Sequence, residues 1–353
     1  MIRERPRILR DWVDPEPRSR PVLRPLLAVL LTAAMLFLGL QTWWILTPAP
    51  GVRSGPRIVE IPAHRGFFEV ARQLDDAGVI RSPLGFLLLT IARGSMRSLK
   101  AGEYQIPQGA NTLAVLALIE GGQVLQHNVV FREGSTVAEL ARQLENERLA
   151  LAEDILRVAR DGPFLRTVEI PADSVEGYLF PDTYQFVKGM MPEEILARMI
   201  ARLREQISPE ILIAARARDL SMHQLLTLAS IIEKEAVERR EMPLISAVFW
   251  NRLKLEMPLQ ADPTVQYGVG KDRQRLTRDD LLTDSPFNTY RRAGLPPGPI
   301  ASPSLPAIQA AANPASVNYL YFVATGDERR HRFSSTLADH NAAVAQYRLG
   351  RNR

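Results

Sequence analysis

The chain has 353 residues, of which 46% are hydrophobic and 24% are charged, and it contains no cysteine. This composition supports one large domain or two to three ordinary domains and excludes a wholly disordered chain. The lack of cysteine excludes disulfide bonds, thiolate metal sites and a cysteine nucleophile. The net charge of +5 is a mild excess, and no long basic stripe with interleaved aromatic residues is present, so we expect no nucleic-acid binding.

The N-terminal region predicts a membrane anchor. A basic tail over residues 1–25 precedes an uncharged apolar run over 26–46, which is long enough to span a bilayer core. A cleaved signal peptide is the alternative, but the long run, the long basic region and the lack of a nearby small-x-small cleavage site oppose it. Trp43 and Trp44 would lie at the far interface, and the arginines before the span predict a cytoplasmic N-terminus.

An internal repeat follows the anchor. Residues 47–57 are rich in Pro and Gly and are typical of a linker. In the region 58–150, the segment Glu69–Leu74 recurs as Glu139–Leu144, each copy after a turn signal. Extended runs precede the predicted helices, at 57–61, 102–106 and 128–131.

The repeated unit is therefore a strand, a turn and a short helix. Thr112 and Thr136 are expected N-caps, because their hydroxyls can accept hydrogen bonds from the first-turn amides. An ordinary α+β domain would show the same pattern. The alternative interpretation is a LysM-like carbohydrate-binding module, whose strand–helix loops hold N-acetylated sugars.

The rest of the chain predicts a mainly helical domain over 151–347 and a tail over 348–353. Helices are expected to start where a cap or a proline precedes an apolar pattern, at Pro192, Ser208-Pro209, Ser221, Met242-Pro243, Ser304 and Leu337. The alternating segment Asn318–Ala324 is expected to pair with 331–333 across a turn at Gly326-Asp327. The predicted fold class is α+β.

Conventional catalytic motifs are absent from the sequence. The five histidines show no metal-ligand spacing, and there is no G-x-S-x-G or P-loop pattern. We therefore expect neither a metal nor a cofactor. Gly268 and Gly270 form an isolated G-x-G, which we interpret as a turn.

Three polar loops carry the remaining chemistry, at 174–184, 258–268 and 285–300. Each mixes Pro and Gly with amide, carboxyl, hydroxyl and aromatic groups. Aromatic faces stack on sugar rings, polar groups bind sugar hydroxyl and acetamido groups, and proline fixes the loops. Ordinary helix connectors are the alternative, but three such loops beside a helix with marginal carboxylates favour a polysaccharide cleft.

That helix, predicted from Ser221, ends in Glu233, Lys234 and Glu235. At about 100° per residue, both glutamates lie at the margin of its apolar stripe, while Lys234 points to the far side. Helical geometry does not separate the two glutamates.

The order and spacing of seven motifs resemble the MltG/YceG-like family of endolytic murein transglycosylases. The motifs are EGYLFPDTY at 176–184, LASIIEKE at 228–235, FWNRL at 249–253, LQADPTVQYG at 259–268, SPFNTY at 285–290, GLPPGPI at 294–300 and YLYFVA at 319–324. The match covers roughly residues 55–347. The anchor also suits the family, although the cytoplasmic tail is longer than expected.

The resemblance implies a reaction and a set of site residues. Such enzymes cut peptidoglycan between N-acetylmuramic acid and N-acetylglucosamine and leave a 1,6-anhydro end, because the muramyl 6-hydroxyl attacks its own C1. One carboxyl can act first as general acid and then as base. The catalytic residue aligns with Glu235, which leaves Glu233 a supporting role. The candidate substrate contacts are Gln260, Asp262, Thr264, Tyr267, Asn288 and Tyr290.

The resemblance also implies a location and partners. It predicts a single-pass protein of the bacterial inner membrane with a periplasmic catalytic domain, which acts on peptidoglycan and meets peptidoglycan synthases. Two alternatives stay open. One is a membrane-tethered peptidoglycan-binding protein that cuts nothing. The other is a hydrolase that uses Glu235 and Asp262 as its pair, although an Asp before a Pro commonly caps a turn.

Overall fold

The computed structural model describes residues 23–62, 65–96, 98–271, 274–325 and 330–351. The chain divides into two compact units between Val124 and Leu125. This division lies earlier in the chain than the boundary predicted at 150. In the described part of both units helices dominate and the sheets are two-stranded and antiparallel, so the predicted α+β class is confirmed at this level.

The first described element of the first unit is α1 (Leu23–Leu46). This helix is long and apolar enough to cross a membrane, with a mean hydropathy of 1.9 over its most apolar stretch. Its two threonines do not present free hydroxyls, since Thr32 and Thr42 donate to the carbonyls four residues earlier at 2.9 and 2.8 Å. The apolar run predicted at 26–46 thus forms one continuous helix.

The remainder of the first unit is a small α+β fold. Its elements are β1 (Arg57–Ile61), α2 (Phe67–Asp76), α3 (Pro83–Arg93), β2 (Gly102–Ile106) and α4 (Thr112–Gly121). Strand β1 pairs with β2, and Phe86 and Tyr104 are fully buried in the core. The segment 47–57, expected as a linker, contributes the buried residues Ala49 and Val52 to the same core.

The second unit contains the longer series of elements. These are β3 (Gln126–Val130), α5 (Val137–Asn146), α6 (Ala152–Val158), α7 (Gly162–Thr167), β4 (Thr183–Val187), α8 (Pro192–Gln206), α9 (Pro209–Arg216), α10 (Met222–Glu235), α11 (Met242–Lys254), α12 (Asp262–Gly268), α13 (Arg278–Leu282), α14 (Leu305–Ala312), β5 (Tyr321–Ala324), β6 (His331–Ser334) and α15 (Leu337–Arg351). Strands β5 and β6 pair as predicted. The turn predicted at Gly326-Asp327 lies outside the described residues.

Strand β4 was not predicted, and it explains the position of the division. Its side chains alternate, with Tyr184 and Phe186 buried and with Thr183 and Gln185 exposed. It pairs with β3 so that Val129 lies opposite Tyr184. Because its hydrogen-bonding partner comes from after residue 180, β3 belongs to the second unit and α5 follows it there.

Hydrogen bonds at the starts of α5 and α2 explain why a glutamate recurs in the repeat. The expected cap Thr136 is confirmed: its Oγ1 accepts from Glu139 N at 3.2 Å, and Glu139 Oε2 accepts from Thr136 N at 2.9 Å. The repeated glutamate stands at the same position of α2, where Glu69 accepts from Gly66 N at 3.3 Å.

The expected cap at Thr112 is wrong. Asn111 caps α4, because its Oδ1 accepts from Ala114 N at 2.9 Å, and Thr112 is instead the first residue of the helix and is buried. Asn is at least as good an N-cap as Thr, so the preceding residue takes that position.

Helix α10 is the central helix of the second unit. Every residue from Leu225 to Ile232 is buried, because α10 packs against α11, α12 and α14. Ser221 caps it as predicted, and its Oγ accepts from Gln224 N at 3.2 Å. The helix ends at Glu235, since Ala236 adopts an extended conformation, so the two glutamates occupy its last turn.

Candidate active site

A cavity of about 260 Å³ lies at the C-terminal end of α10. It is lined by Glu235, Arg252, Leu259, Gln260, Asp262, Tyr290, Phe322 and His340. Three of the predicted substrate contacts, Gln260, Asp262 and Tyr290, therefore meet the predicted catalytic residue in one place. We call this space the Glu235 cavity.

The Glu235 carboxyl is isolated within the cavity. It accepts no hydrogen bond from any residue that the structure describes, and its burial raises the pKa of Glu235 to about 8, with a further contribution from the charge of Asp262. Lys234 is directed elsewhere, with its Nζ 3.4 Å from the Gly134 carbonyl. A carboxyl with this pKa keeps its proton at neutral pH and can act as a general acid.

Glu233 lies two residues before Glu235 on the same helix, but its environment is different. Its carboxylate accepts hydrogen bonds from Ser304 N, at 2.9 Å, and from Ser304 Oγ, and so binds the start of α14. Burial raises the pKa of Glu233, while both Ser304 hydrogen bonds act in the opposite direction. Glu233 is not among the residues that line the Glu235 cavity. The structure thus distinguishes two glutamates that the helical period could not.

Glu233→Ala is expected to lower the free energy of unfolding by about 1–2 kcal/mol, because it removes the acceptor for two Ser304 donors. Chemical denaturation measures this loss, with Glu194→Ala, at an exposed position on α8, as the control. Strand cutting should persist in the folded Glu233→Ala variant. Abolished cutting in a well-folded protein would instead assign the acid to Glu233.

Asp262 and Tyr290 form a pair on the cavity wall. Tyr290 Oη donates to Asp262 Oδ1 at 2.6 Å, and burial together with this hydrogen bond raises the pKa of Tyr290. The segment 258–268 was expected to be a loop, but it contains α12, which begins at Asp262. The start of a helix favours a carboxylate, because the backbone amides there are unpaired.

The expected turn at Gly268 and Gly270 is only partly present. Gly268 is the last residue of α12, and the turn follows it, with Gly270 at a φ of +69°. Because α12 carries the chain from Asp262 to Gly268, it fixes the separation between the two ends of this segment.

Arg252 was not predicted as a site residue. Its Nε donates to the Leu320 carbonyl at 2.7 Å, and its Nη1 donates to the Leu259 carbonyl at 2.9 Å and to Gln260 Oε1 at 3.2 Å. Burial lowers the pKa of Arg252. Gln260 has a φ of +53°, a strained conformation for a non-glycine residue, and such strain is common at functional sites. Arg252 thus holds a strained loop against the segment that leads into β5.

His340 and Phe322 were also missed, and they come from α15 and β5. The His340 ring stacks on Tyr321 with 5.1 Å between ring centroids. Its Nδ1 is buried without a hydrogen-bond partner in the described part of the chain. Burial and the nearby Arg252 charge lower the pKa of His340, so the imidazole is neutral at pH 7 and offers one donor and one acceptor.

Two predicted contacts, Thr264 and Asn288, are fully buried. Thr264 Oγ1 donates to the Ala261 carbonyl at 2.7 Å and lies 2.8 Å from Thr289 Oγ1. Asn288 Nδ2 donates to the carbonyls of Leu281 and Thr283. The structure therefore does not place these side chains for direct substrate contact, because the protein itself uses their polar atoms to shape the site loops. Tyr267 lines a different pair of cavities.

Comparisons with known proteins identify the family of the chain. Residues 59–346 match the YceG-like family. An "Endolytic murein transglycosylase" of Bacillus subtilis (strain 168) is 32% identical over 311 residues, which cover 83% of this chain and 85% of the relative. The protein of the same name from Streptococcus pneumoniae serotype 2 (strain D39 / NCTC 7466) is 31% identical over 320 residues, covering 82% of this chain and 58% of that longer relative.

A solved structure gives the same result. The crystal structure of a yceG-like protein from Listeria monocytogenes is similar to this chain, with a TM-score of 0.57 and 32% identity, over 81% of this chain and 98% of that one. The resemblance inferred from the seven motifs is confirmed. On the strength of the family match over 59–346 and of these relatives, the chain belongs to the YceG-like family.

Proposed function

We propose that this chain is an endolytic murein transglycosylase, a lyase that cuts the glycan strands of peptidoglycan between N-acetylmuramic acid and N-acetylglucosamine. The observation that carries the proposal is the isolated Glu235 carboxyl, whose pKa of about 8 leaves it protonated in a polar cavity. The Bacillus and Streptococcus relatives, both named as endolytic murein transglycosylases, support the same activity.

The reaction needs one proton donor that becomes a base. Protonated Glu235 gives its proton to the glycosidic oxygen as the bond from that oxygen to C1 of the muramyl sugar breaks. The 6-hydroxyl of the same sugar then attacks C1, and the Glu235 carboxylate takes the hydroxyl proton. The products are a 1,6-anhydro end and a free 4-hydroxyl, with no water consumed, and Glu235 returns to its starting state. Because the nucleophile belongs to the substrate, proximity replaces a second catalytic carboxylate.

The other residues of the cavity suit the charge and shape of a sugar. Asp262, fixed by Tyr290, supplies negative charge for the oxocarbenium-like transition state. Gln260 and His340 offer hydrogen-bonding groups for hydroxyl or acetamido oxygens, and Phe322 offers an aromatic face. Thr264 and Asn288 act indirectly, through the loops that they hold.

The rate of cutting is expected to fall as pH rises through about 8, because Glu235 then loses the proton that it must donate. In Asp262→Asn the falling limb should move to lower pH, since the neighbouring charge that helps to raise the pKa of Glu235 is removed. The measurement is kcat/KM against pH for both proteins. An identical limb in both would contradict the electrostatic link between Asp262 and Glu235.

Anchoring and location extend the proposal. The length and composition of α1 support a single-pass anchor in the bacterial inner membrane, and the N-terminal arginines support a cytoplasmic N-terminus with a periplasmic catalytic domain. A tethered enzyme that cuts close to the membrane would end growing strands beside the peptidoglycan synthases. The strand–helix–helix–strand order of β1, α2, α3 and β2 supports a LysM-like, glycan-binding role for this part of the region 58–150.

Mass spectrometry of the products tests the activity. The full chain in detergent is incubated with purified glycan strands, and the new ends are analysed. Anhydro ends are expected. Reducing ends would instead indicate a hydrolase with Glu235 and Asp262 as its pair, and intact strands would indicate a binding protein without catalysis.

A further inference from the structure

Two adjoining cavities in the second unit have no role in the mechanism above. Their volumes are about 400 and 470 Å³, within the range of roughly 300–1,000 Å³ that is typical of ligand sites. They share the lining residues Arg160, Ser174, Glu176, Tyr267 and Phe287, so we describe them together as the Tyr267 groove. None of these residues lines the Glu235 cavity.

One wall of the Tyr267 groove is apolar. The rings of Tyr267 and Phe287 pack with 4.9 Å between their centroids. Leu156, Ala159 and the proline-rich segment 297–299 extend this surface. Such a wall suits small aliphatic side chains or the apolar face of a sugar.

The polar groups of the groove include donors and acceptors, and Asp173 adds a carboxyl to the smaller cavity. Glu176 is only 7% exposed, and its two carboxyl oxygens accept from Val137 N at 3.2 and 3.3 Å. Burial raises the pKa of Glu176 to about 8, so the carboxyl carries a proton at neutral pH. The Tyr267 hydroxyl has no hydrogen-bond partner among the described residues, and burial raises the pKa of Tyr267.

Two arginines add positive charge to the rim. Arg160 is exposed and lines both cavities, and it makes no ion pair in the described part of the chain. Arg142 lines the larger cavity, and its one hydrogen bond to a residue that the structure describes runs from Nε to the Ala138 carbonyl of its own helix at 3.3 Å. The guanidinium groups of Arg142 and Arg160 outnumber the Asp173 carboxyl. Together with the protonated Glu176 carboxyl and the Tyr267 phenol, they favour a ligand with an anionic acceptor group.

We propose that the Tyr267 groove binds the carboxylate-bearing peptide that is attached to the glycan strand. A neutral sugar does not require two arginines, whereas a peptide carboxylate matches them and the apolar wall accommodates alanine-sized side chains. The inference rests on the proposed function, because that function supplies a substrate with peptides on its sugars.

Helix α12 connects this groove to the site of cutting. Asp262, its first residue, lines the Glu235 cavity, and Tyr267 stands five residues later. At about 1.5 Å per residue the two positions are roughly 7.5 Å apart along the helix axis. The two side chains project about 140° apart around the helix. A peptide that extends about 3.3 Å per residue therefore needs only a few residues to pass round α12 from a sugar at Glu235 to the groove.

Binding of full-length protein to two forms of the same strands tests the proposal. One form carries peptides with free carboxylates, and the other carries the same peptides after amidation. All measurements use the Glu235→Gln background, so cutting does not interfere. Adding Arg142→Gln and Arg160→Gln together is expected to weaken binding to the carboxylate strands about tenfold and to leave the amidated strands unaffected. The control Arg216→Gln, at an exposed position on α9, should change neither.

Equal losses on both strand forms, or no loss on either, would overturn the proposal. Tyr267→Phe provides a second test, since it removes one donor without changing shape, and it should weaken binding to the carboxylate strands more than to the amidated strands. Binding is read in a variant that cannot cut, and cutting is read by mass spectrometry of the wild-type products. Failure of the lyase activity and failure of peptide recognition are therefore distinguishable.

Discussion

Replacing Glu235 with Gln is expected to lower the rate of strand cutting by about a thousandfold, since general acid–base catalysis contributes roughly 10²–10⁴ and this residue serves both proton transfers. Glutamine has the same shape but can neither give up nor take the required proton. Folding should be unchanged or slightly improved, because the buried ionisable group is removed. The measurement is the initial rate of appearance of anhydro ends, together with circular dichroism and strand binding.

Glu233→Gln is the matched control, as the same chemical change in the same helical turn. It should retain most of the activity, because Glu233 binds Ser304 at the start of α14 and does not line the Glu235 cavity. Full activity in Glu235→Gln, or loss of activity only in the Glu233 variant, would overturn the assignment of the acid.

Gly177→Ala is expected to lower the free energy of unfolding by about 3 kcal/mol or more, the sum of backbone strain and overpacking. Gly177 has a φ of +77°, and a Cβ added there would overlap Cβ and Cγ of Pro299. Gly189 provides the control, since it has a φ of +83° but open space around it. Gly189→Ala should therefore lose only about 1–2 kcal/mol, the backbone contribution.

The difference between these two variants isolates the contact between Gly177 and Pro299. That contact matters for the site, because the next residue, Ile300, donates its N–H to Ser230 Oγ of α10 at 3.1 Å. We expect Gly177→Ala to slow cutting as well as to destabilise the fold. Equal losses of stability in both variants, measured by chemical denaturation, would show that the packing against Pro299 is unimportant.

Local signals predicted much of the fold. Ser221, Ser304 and Thr136 start helices as expected, because a cap acts on amides two or three residues away. Strand β4 was missed although its buried positions alternate, since it pairs with β3 from more than 50 residues earlier, a partner that local patterns do not identify. The position of the division between the units depends on that same non-local pairing.

The location of the candidate cavity was predictable from the sequence, but the environments of its residues were less so. The motifs selected Glu235, Gln260, Asp262 and Tyr290, and all four line one cavity in the structure. The different environments of Glu233 and Glu235 depend on Ser304, which lies about 70 residues further along the chain and binds only Glu233 of the two. Thr264 and Asn288 have the polar groups of a sugar-binding residue, but those groups satisfy buried backbone atoms. A residue type alone does not tell whether its hydrogen bonds go to substrate or to the protein.

Arg252 and His340 line the Glu235 cavity although the sequence did not identify them as site residues. Arg252 stands within the motif at 249–253, but its role depends on carbonyls at 259 and 320 that only the folded chain brings together. His340 lacks metal-ligand spacing and was set aside, although a neutral imidazole also hydrogen-bonds sugars. The stacking partner Tyr321 and the neighbouring Arg252 charge, which define its environment, are non-local.

The most direct test of the central claim is a pH titration of the glutamate carboxyl carbons by carbon-13 NMR, with the full chain in detergent. Two carboxyls, Glu235 and Glu176, are expected to titrate near pH 8, and Glu235→Gln should remove one of these signals while Glu176→Gln removes the other. The signal lost in Glu235→Gln is expected to have a pKa of about 8. A Glu235 carboxyl that titrates near 4.3, the value of an ordinary exposed glutamate, would contradict it.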